Sequence, residues 1–283
     1  MIIFKYPADL QHHFTKNKIP QALTGFVPTM GALHNGHIAL VNHARRQNRF
    51  VVCSIFVNPT QFNDPKDFEK YPSAIDKDIY LLEKAGCDIL ILPKVTDMYP
   101  GGIKPTRHYE LGFLETVLEG KFRPGHFQGV CQVVHRLLNI VMPSYLYLGQ
   151  KDLQQCLVLK KMIGLTGLQT QTIICPTLRE PDGLAMSSRN MRLSEPERLQ
   201  APAIYKALTL IKENIGTGDI AQLKEAAAQS LMLTGFKVDY IEVAEAETLK
   251  PVKTWDGKTT VAILAAAYLN KIRLIDNVTL NSG

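Results

Sequence analysis

The sequence has no apolar stretch long enough for a membrane-spanning helix. Such a helix needs about 20 predominantly apolar residues, and the longest apolar runs here, residues 50–57 and 261–269, have the length of β-strands. The amino terminus also lacks a basic segment followed by an apolar core and a small-residue cleavage site, the combination that marks a secretory signal. We therefore expect a cytoplasmic protein that has no membrane partner.

Cysteine is scarce and widely spaced. The sequence contains 5 cysteines among 283 residues, and none of them forms a C-x-x-C pair. A zinc site or a disulfide framework typically shows closer or paired spacing, so neither is expected. Free cysteine behaves as a small apolar side chain. We predict buried, unpaired thiols at these positions, which are Cys53, Cys87, Cys131, Cys156 and Cys175.

A concentrated run of basic residues is absent as well. The 32 Lys and Arg against 26 Asp and Glu give a net charge of +6, but the basic residues are scattered along the chain. Nucleic-acid-binding domains typically concentrate lysine and arginine along one segment or face, so we expect no nucleic-acid partner. The positive excess suits a small anionic ligand such as ATP, although charge alone does not identify it.

Strand-like apolar stretches alternate with stretches of helical periodicity through roughly the first 180 residues. This alternation predicts an α/β fold in which helices cover a Rossmann-like parallel sheet. In such sheets ligands bind at the carboxyl ends of the strands, near the point where the strand order reverses. The predicted strands cover residues 23–30, 50–57, 87–93, 144–149 and 170–176, and the predicted helices cover residues 37–47, 73–86, 126–142 and 152–167.

The pattern changes after residue 177. Ser194 and Glu197 have the spacing of a capping box, which predicts a helix that begins at Ser194, and a second helix covers residues 219–232. Three strand-like segments follow, at residues 237–246, 259–270 and 271–280. We therefore predict two domains, a Rossmann-like domain of residues 1–177 and a smaller α+β domain of residues 178–283.

The segment PTMGALHNGH, residues 28–37, joins a predicted strand to a predicted helix. Its glycines allow the backbone to approach a ligand closely, and the N-terminus of the following helix favours negative charge. His34 and His37 lie three residues apart, so both imidazoles can face one bound group and donate hydrogen bonds to it. Two histidines can also flank a turn by chance, but this position favours a phosphate-binding site.

A second segment with the composition of a phosphate site is REPDGLAMSSRN, residues 179–190. Two hydroxyls followed by an arginine, at Ser187, Ser188 and Arg189, can form a mobile clamp because a guanidinium binds phosphate oxygens bidentately. The same residues can instead form an ordinary helix cap or a solvated loop. The sequence leaves both interpretations open.

The segment YLGQKDLQQ, residues 147–155, places polar side chains directly after a predicted strand. Lys151 can reach phosphate oxygens as a point charge. Asp152 can cap the following helix, which is the ordinary role of such a residue, or it can contact a ribose or a magnesium ion. Gln155 lies about one turn further along and can face the same space.

Two further segments contain candidate substrate contacts. In FVNPTQF, Asn58 and Gln61 follow a predicted strand, where binding residues collect in parallel sheets. In EGKFRPGHFQGV, Arg123 and His126 precede a predicted helix. The alternative to substrate binding is an ordinary polar loop for the first segment and a tight turn for the second.

The H-x-G-H segment with the M-S-S-R loop downstream resembles the H-I-G-H and K-M-S-K-S pair of class I aminoacyl-tRNA synthetases and nucleotidylyltransferases. Further segments narrow the resemblance to one family, pantothenate synthetase, also called pantoate–β-alanine ligase. The matching segments occur in order along nearly the whole chain and are densest from about residue 25 to 195. Ser73, where many relatives have arginine, and Gln132, where threonine is usual, depart from that pattern. The matching segments are PTMGALHNGH, FVNPTQF, FEKYP, RPGHFQGV, GQKDLQQ, REPDGLAMSSRN and RLIDN.

The resemblance implies an ATP-dependent acid–amine ligase. In that family ATP and pantoate form pantoyl-adenylate and pyrophosphate, and the amine of β-alanine then attacks the acyl carbon to give pantothenate and AMP. Mg²⁺ would neutralise the triphosphate, and the enzyme would be a homodimer. Because the adenylate must be kept from water, we expect the domain of residues 178–283 to act as a lid through the loop of residues 179–190.

The resemblance also implies roles for individual residues. The catalytic residues would be His37, His34, Lys151 and Arg189. The ATP-binding residues would be Met30, Gly31, Ala32, Leu33, His34, Asn35, Gly36, His37, Gly149, Gln150, Lys151, Asp152, Leu178, Met186, Ser187, Ser188 and Arg189. The substrate-binding residues would be Gln61, Gln155 and Arg123. Asp78 falls where the family keeps an acidic residue near the metal, so it is the candidate magnesium ligand.

Two other functions are open at this point. A nucleotidylyltransferase that joins AMP to a phosphorylated acceptor would share H-x-G-H, but it has no reason to contain NPTQF, GQKDLQQ and DGLAMSSRN together. A basic, synthetase-like RNA-binding protein would suit the net charge of +6. Against it, the sequence shows no basic run, no basic strand with interleaved aromatic residues and no zinc ligand set.

Overall fold

The computed structural model describes residues 1–20, 23–62, 72, 74–103 and 107–281. These residues form two compact units. The first comprises the described residues of Met1–Gly149 and Gln155–Pro176, and the second those of Gln150–Gln154 and Thr177–Gly283. Sequence spacing predicted one boundary, after residue 177, and did not indicate that a short segment further upstream packs with the second unit.

The described residues of the first unit form a sheet of six parallel strands. The strands are β1 (Ile2–Phe4), β2 (Thr24–Thr29), β3 (Phe50–Ile55), β4 (Ile89–Ile91), β5 (Tyr145–Gly149) and β6 (Gln171–Cys175). Across the sheet they run in the order β1-β4-β3-β2-β5-β6. The order therefore reverses at β2, which pairs with β3 on one side and with β5 on the other. The predicted Rossmann-like sheet is confirmed.

Helices connect these strands. They are α1 (Pro7–Lys16), α2 (Asn35–Gln47), α3 (Ile75–Lys84), α4 (Val95–Met98), α5 (Phe113–Thr116), α6 (Leu118–Phe122), α7 (His126–Val141) and α8 (Leu153–Thr166). The long helix α7 ends at Val141 and is followed by Met142, whose φ of 48° is left-handed. Pro143 follows and has no N–H with which to continue the helix.

The central strands β2 and β3 of this sheet are buried on both faces. Val52 of β3 belongs to one hydrophobic cluster together with Leu10 of α1, whereas its neighbours Val51 and Cys53 belong to another with Val41 of α2. Successive side chains of a strand point to opposite faces, so a continuous apolar run is what a strand covered on both sides requires. All 5 cysteines are free and buried, as predicted.

The second unit combines helices with a small antiparallel sheet. Its helices are α9 (Glu195–Gln200), α10 (Ala203–Asn214) and α11 (Ile220–Leu233), and its strands are β7 (Phe236–Glu245), β8 (Val261–Leu269) and β9 (Ile272–Leu280). The central strand β8 is buried except at Tyr268. Leu208 and Ile211 of α10 pack in the same cluster as Ile263. The predicted α+β architecture is confirmed.

Two differences from the predicted elements have local causes. The helix at Ser194 begins as expected, since the Ser194 N–H donates to Glu197 Oε2 at 2.8 Å in a capping box. It then divides into α9 and α10, because Pro202 has no N–H to donate to the preceding turn. Strand β1 was not predicted, since three residues show no periodicity.

Three further expectations from the sequence concern membrane spanning, the FEKYP motif, and the two positions that depart from the family pattern. Within the described ranges, no helix has the length and apolar character that crossing a membrane requires. The FEKYP motif, apart from Pro72, and Ser73 lie outside the described residues. Gln132, the other departure from the family pattern, is buried in α7.

Candidate active site

The segment of residues 28–37 leaves β2 through a left-handed turn. Gly31 has a φ of 82° and Ala32 a φ of 50°, a region that glycine adopts without strain and other residues seldom adopt. Thr29 connects the start of the segment to the neighbouring strand, because its Oγ1 donates to the Ser54 carbonyl oxygen at 2.7 Å and accepts the Gly31 N–H at 3.3 Å. The chain therefore turns sharply from β2 into α2.

The two predicted histidines flank the first turn of α2. The Gly36 N–H donates to His34 Nδ1 at 3.1 Å, and the His34 N–H donates to His37 Nδ1 at 3.3 Å. An imidazole whose Nδ1 accepts a hydrogen bond carries its proton on Nε2 in the neutral form. The two ring centroids lie 4.1 Å apart, so the structure brings the two rings together with both Nε2 atoms as donors.

The N-terminus of α2 offers the electrostatic environment that an anion prefers. Its first backbone N–H groups and the positive end of its dipole lie there, and its first turn contains no acidic residue. The helix follows β2, the strand at which the order of the sheet reverses. Ligands of open parallel sheets bind at this position, and phosphates bind at helix N-termini.

Gln61, a predicted substrate ligand, is held by a network of side chains. It ends a 3₁₀ turn, Pro59–Gln61, which Asn58 caps with its side-chain oxygen. Asn58 Nδ2 donates to Gln61 Oε1 at 3.1 Å, and the Tyr99 hydroxyl donates to Asn58 Oδ1 at 2.8 Å. Gln61 Nε2 lies 3.0 Å from Met30 Sδ. A predicted substrate ligand thus contacts a predicted ATP ligand.

Arg123 and His126 approach the same turn from the start of α7. Arg123 Nη2 donates to the Gln61 carbonyl oxygen at 3.3 Å, and His126 Nδ1 lies 2.9 Å from that oxygen. Helix α7 passes so close that a Cβ at Gly129 would overlap the Thr60 carbonyl oxygen. The structure therefore brings Arg123 to the backbone of Gln61, and glycine is required where α7 packs on the turn.

In the second unit, β9 holds the segment that contains Lys151. After β5 the chain forms a 3₁₀ turn, Gln150–Asp152. Asn277 Nδ2 donates to the Gln150 and Lys151 carbonyl oxygens at 2.8 and 2.9 Å. Lys151 Nζ lies 3.9 Å from Asp152 Oδ1. The backbone of this turn is therefore fixed by one buried asparagine.

Arg179 fixes the base of the predicted clamp loop. Its guanidinium binds the Asp276 carboxylate with both terminal nitrogens, at 2.6 and 3.0 Å. It also donates to the Gly183 and Asn277 carbonyl oxygens and lies 4.0 Å from the centre of the Tyr205 ring. Burial raises the pKa of the Asp276 carboxyl, and Arg179 opposes that shift.

The residues of the predicted clamp form a short 3₁₀ turn, Ser188–Arg192. Ser187 caps this turn, since its Oγ accepts the Arg189 N–H at 3.3 Å. Asn190 Nδ2 donates to the Ala185 carbonyl oxygen at 3.0 Å. The local cap that the sequence offered as an alternative is present, and it is compatible with a phosphate contact by the same residues.

A family model described as pantoate-beta-alanine ligase matches residues 2–279. The chain belongs to the pantoate–β-alanine ligase family. The match extends far beyond the H-x-G-H segment, which is the part that a nucleotidylyltransferase would share. It therefore favours the ligase over both alternative functions.

Relatives in the pantoate–β-alanine ligase family match the chain over most of its length. The pantothenate synthetase of Cytophaga hutchinsonii is 43% identical over 275 residues, 96% of each chain. That of Thermotoga neapolitana is 48% identical over 260 residues, 90% of this chain and 91% of its own. The crystal structure of pantothenate synthetase from Thermus thermophilus gives a TM-score of 0.91 at 42% identity, covering 98% of this chain and 99% of its own.

A further structure of the pantoate–β-alanine ligase family comes from Francisella tularensis. That ligase was crystallised with beta-gamma ATP and β-alanine. It gives a TM-score of 0.78 at 38% identity, covering 98% of this chain and 97% of its own. The fold predicted from sequence is therefore the fold of solved members of the family.

The predicted site residues of this family member are divided between the two units. The first unit contains Met30, Gly31, Ala32, Leu33, His34, Asn35, Gly36, His37, Gln61, Arg123, Gly149 and Gln155. The second unit contains Gln150, Lys151, Asp152, Leu178, Met186, Ser187, Ser188 and Arg189. Gln155 is half-buried in the first turn of α8, and Leu178 is exposed.

Asp78, the predicted magnesium ligand, lies in the first turn of α3 and is fully buried. Its Oδ2 accepts the Ala32 N–H and its Oδ1 the Leu33 N–H, each at 2.8 Å. Burial raises the pKa of this carboxyl, and the two hydrogen bonds oppose that shift. Across the part of the chain that the structure describes, no group of three or more His, Cys, Asp or Glu side chains is placed to hold a metal ion.

Sequence reasoning missed three residues that support the site. Asp276 and Asn277 belong to the RLIDN segment, which indicated the family but not a contact. Tyr99 gave no signal in the sequence, because it lies 41 positions from its partner Asn58.

Proposed function

We propose that this chain catalyses the ATP-dependent condensation of pantoate with β-alanine through a pantoyl-adenylate, with release of AMP and pyrophosphate. This is the reaction of the family to which the chain belongs. The Francisella ligase was solved with beta-gamma ATP and β-alanine. The structural observation that supports the function best is the pair His34 and His37 at the N-terminus of α2, directly after the strand at which the sheet order reverses.

The first step increases negative charge on the nucleotide phosphates. A carboxylate oxygen of pantoate forms a bond to the α-phosphorus of ATP, the bond from that phosphorus to the bridging oxygen breaks, and pyrophosphate leaves with the bonding electrons. Preorganised donors stabilise such a transition state. We propose that the N–H groups at the start of α2 and the Nε2–H groups of His34 and His37 are these donors.

Residues of the second unit have the chemistry to stabilise the same charge. Lys151 and Arg189 supply cations, and Ser187 and Ser188 supply hydroxyl donors. The family resemblance is the support for assigning them to ATP. We propose on the same basis that ATP is bound by residues 30–37, Gly149, Gln150–Asp152, Leu178 and residues 186–189.

The second step transfers the pantoyl group. The neutral amine nitrogen of β-alanine attacks the acyl carbon, the bond from that carbon to the phosphate oxygen breaks, AMP leaves, and the nitrogen loses a proton. We propose that Gln61, Gln155 and Arg123 bind pantoate and that Gln61 also contacts β-alanine. Two contacts support this placement: the Gln61 side-chain amide contacts Met30, and the Gln61 backbone carbonyl oxygen accepts from Arg123.

Magnesium is proposed to enter as part of the MgATP substrate. Protein sites usually hold Mg²⁺ through one or two carboxylates together with substrate phosphates and water. Both oxygens of Asp78 accept backbone N–H groups, and the described residues contain no cluster of three or more acidic, His or Cys side chains suited to a metal. We therefore propose that the phosphates of ATP supply most of the ligands of Mg²⁺.

Three further properties are proposed from the sequence and the family resemblance alone. They are a lid function for residues 178–283, a homodimer and a cytoplasmic location. Crystals grown with and without an ATP analogue test the lid, and light scattering at several protein concentrations tests the dimer. An unchanged arrangement in both crystals, or a monomeric mass at all concentrations, would contradict the corresponding proposal.

ATP–pyrophosphate exchange tests the role of His37, because exchange needs pantoate but not β-alanine. We expect pantoate-dependent exchange in the wild type and a loss of about 100-fold in His37→Ala, as for removal of one preorganised donor. His43→Ala should retain the wild-type rate, since His43 lies on the same helix but contacts Gln47. An unimpaired His37→Ala variant would contradict the proposed role of His37. Exchange without pantoate would contradict pantoate as the acid substrate.

A further inference from the structure

A buried carboxylate contacts the loop that precedes the two histidines. Asp78 is 0% exposed. Its Oδ2 accepts the Ala32 N–H and its Oδ1 accepts the Leu33 N–H, each at 2.8 Å. Hydrogen bonds from backbone N–H groups to an ionised carboxylate are shorter and stronger than those between neutral groups. Asp78 is therefore a strong attachment point for this loop.

The backbone of the loop explains why such an attachment is needed. Ala32 has a φ of 50°, a left-handed conformation that is unfavourable for a residue with a side chain. The loop also passes close to the carboxylate, since a Cβ at Gly31 would lie 3.1 Å from Asp78 Oδ2. Two residues after Ala32 the chain reaches His34, the N-cap of α2. A shift of Ala32 and Leu33 would therefore displace the histidines.

Aspartate is suited to this pair of contacts because both of its oxygens accept hydrogen bonds, whereas an asparagine amide offers one oxygen and one NH₂ donor. Both Asp78 oxygens face the loop, and the side chain has no exposed surface. A metal ion at this carboxylate would compete with the Ala32 and Leu33 N–H groups for the same oxygens.

We propose that Asp78 is a positioning residue that holds the Ala32 and Leu33 amides, and thereby orients His34 and His37 towards the ATP phosphates, rather than a magnesium ligand. This inference rests on the function proposed above. It gives Asp78 a positioning role in the adenylation step. The magnesium role that the family resemblance implies is the alternative, and the experiment below distinguishes the two roles.

The Asp78→Asn variant separates the two roles, because it keeps the size of the side chain and removes one of the two acceptors. We expect the kcat of AMP formation to fall about 10- to 100-fold, the factor for a hydrogen bond to a charged group. The Mg²⁺ concentration that gives half the maximal rate at saturating ATP should stay at the wild-type value. Asp76→Asn, an exposed carboxylate on the same helix, is the control and should change neither quantity.

Two kinetic results would overturn the inference. One is a kcat equal to that of the wild type at every Mg²⁺ concentration. The other is a raised Mg²⁺ requirement in Asp78→Asn with the full kcat restored at high Mg²⁺, because that is the behaviour of a lost metal ligand.

Amide hydrogen exchange of the wild type gives a second measurement, which does not need the variant to fold. The Ala32 and Leu33 amides should exchange slowly, and Mg²⁺ alone should leave their rates unchanged. Fast exchange of these amides, or loss of their protection on addition of Mg²⁺, would contradict the inference. Amide hydrogen exchange needs no substrate, so its result does not depend on whether the wild type forms AMP with pantoate. Failure of the inference and failure of the proposed function are therefore distinguishable.

Discussion

At the scale of single residues, a chain of hydrogen bonds determines which end of the Gln61 side-chain amide faces Met30. Burial raises the pKa of the Tyr99 hydroxyl, so the hydroxyl keeps its proton and donates to Asn58 Oδ1 at 2.8 Å. The other end of the Asn58 amide is then Nδ2, which donates to Gln61 Oε1 at 3.1 Å. Gln61 therefore presents its NH₂ group, a donor, on the side of Met30.

The Tyr99→Phe variant removes the first hydrogen bond of this chain and keeps the ring beside Phe56 and Arg136. We expect the KM for pantoate to rise about 2- to 10-fold, the factor for one hydrogen bond, with the KM for ATP unchanged. Steady-state kinetics measure both values, with Tyr80→Phe, an exposed tyrosine of α3, as the control. An unchanged KM for pantoate would show that Tyr99 does not orient Gln61.

At the scale of elements, β9 supports two separate segments of the second unit. Asp276 binds Arg179 at the base of the clamp loop, and the next residue, Asn277, binds the Gln150 and Lys151 carbonyl oxygens. Adjacent residues of a strand point in different directions, so neighbouring side chains can reach different segments. One strand therefore positions both segments of this unit to which the family resemblance assigns ATP contacts.

The Asn277→Ala variant tests this role of β9. It removes the donor that two carbonyl oxygens share, and we expect the KM for ATP to rise about tenfold, as for a lost hydrogen bond with unpaired partners. The KM for pantoate should change little, because the affected turn is Gln150–Asp152. Steady-state kinetics and thermal unfolding compare it with Asn281→Ala, an exposed residue just beyond β9. Equal KM values for ATP in the two variants would contradict the role.

Elements with long apolar or periodic patterns could be predicted from the sequence. The apolar run at residues 50–57 predicted β3, and the helical periodicity at residues 126–142 predicted α7 to within a few residues. The four-residue helices α4 and α5 could not be predicted, because so few residues show no periodicity. The capping box predicted only where this helical segment begins, and its division into α9 and α10 at Pro202 was not predicted.

At the scale of the whole molecule, fold class and family could be predicted, whereas the contacts that support the site could not. The alternation of strands and helices is a local pattern, and the family motifs are continuous segments. Asp78, in contrast, meets residues 45 and 46 positions away, and Asn277 meets residues 126 and 127 positions away. Tertiary packing creates such pairs, and no local pattern in the sequence indicates them.

The molecule as a whole joins pantoate to β-alanine and converts ATP to AMP and pyrophosphate. The most direct measurement is AMP release from ATP and Mg²⁺ with pantoate alone, with β-alanine alone and with both together. We expect sustained release only with both substrates, and pantothenate formed in equal amount to AMP. Sustained release without pantoate or without β-alanine, or a stable dinucleotide-type product with a phosphorylated acceptor, would contradict it.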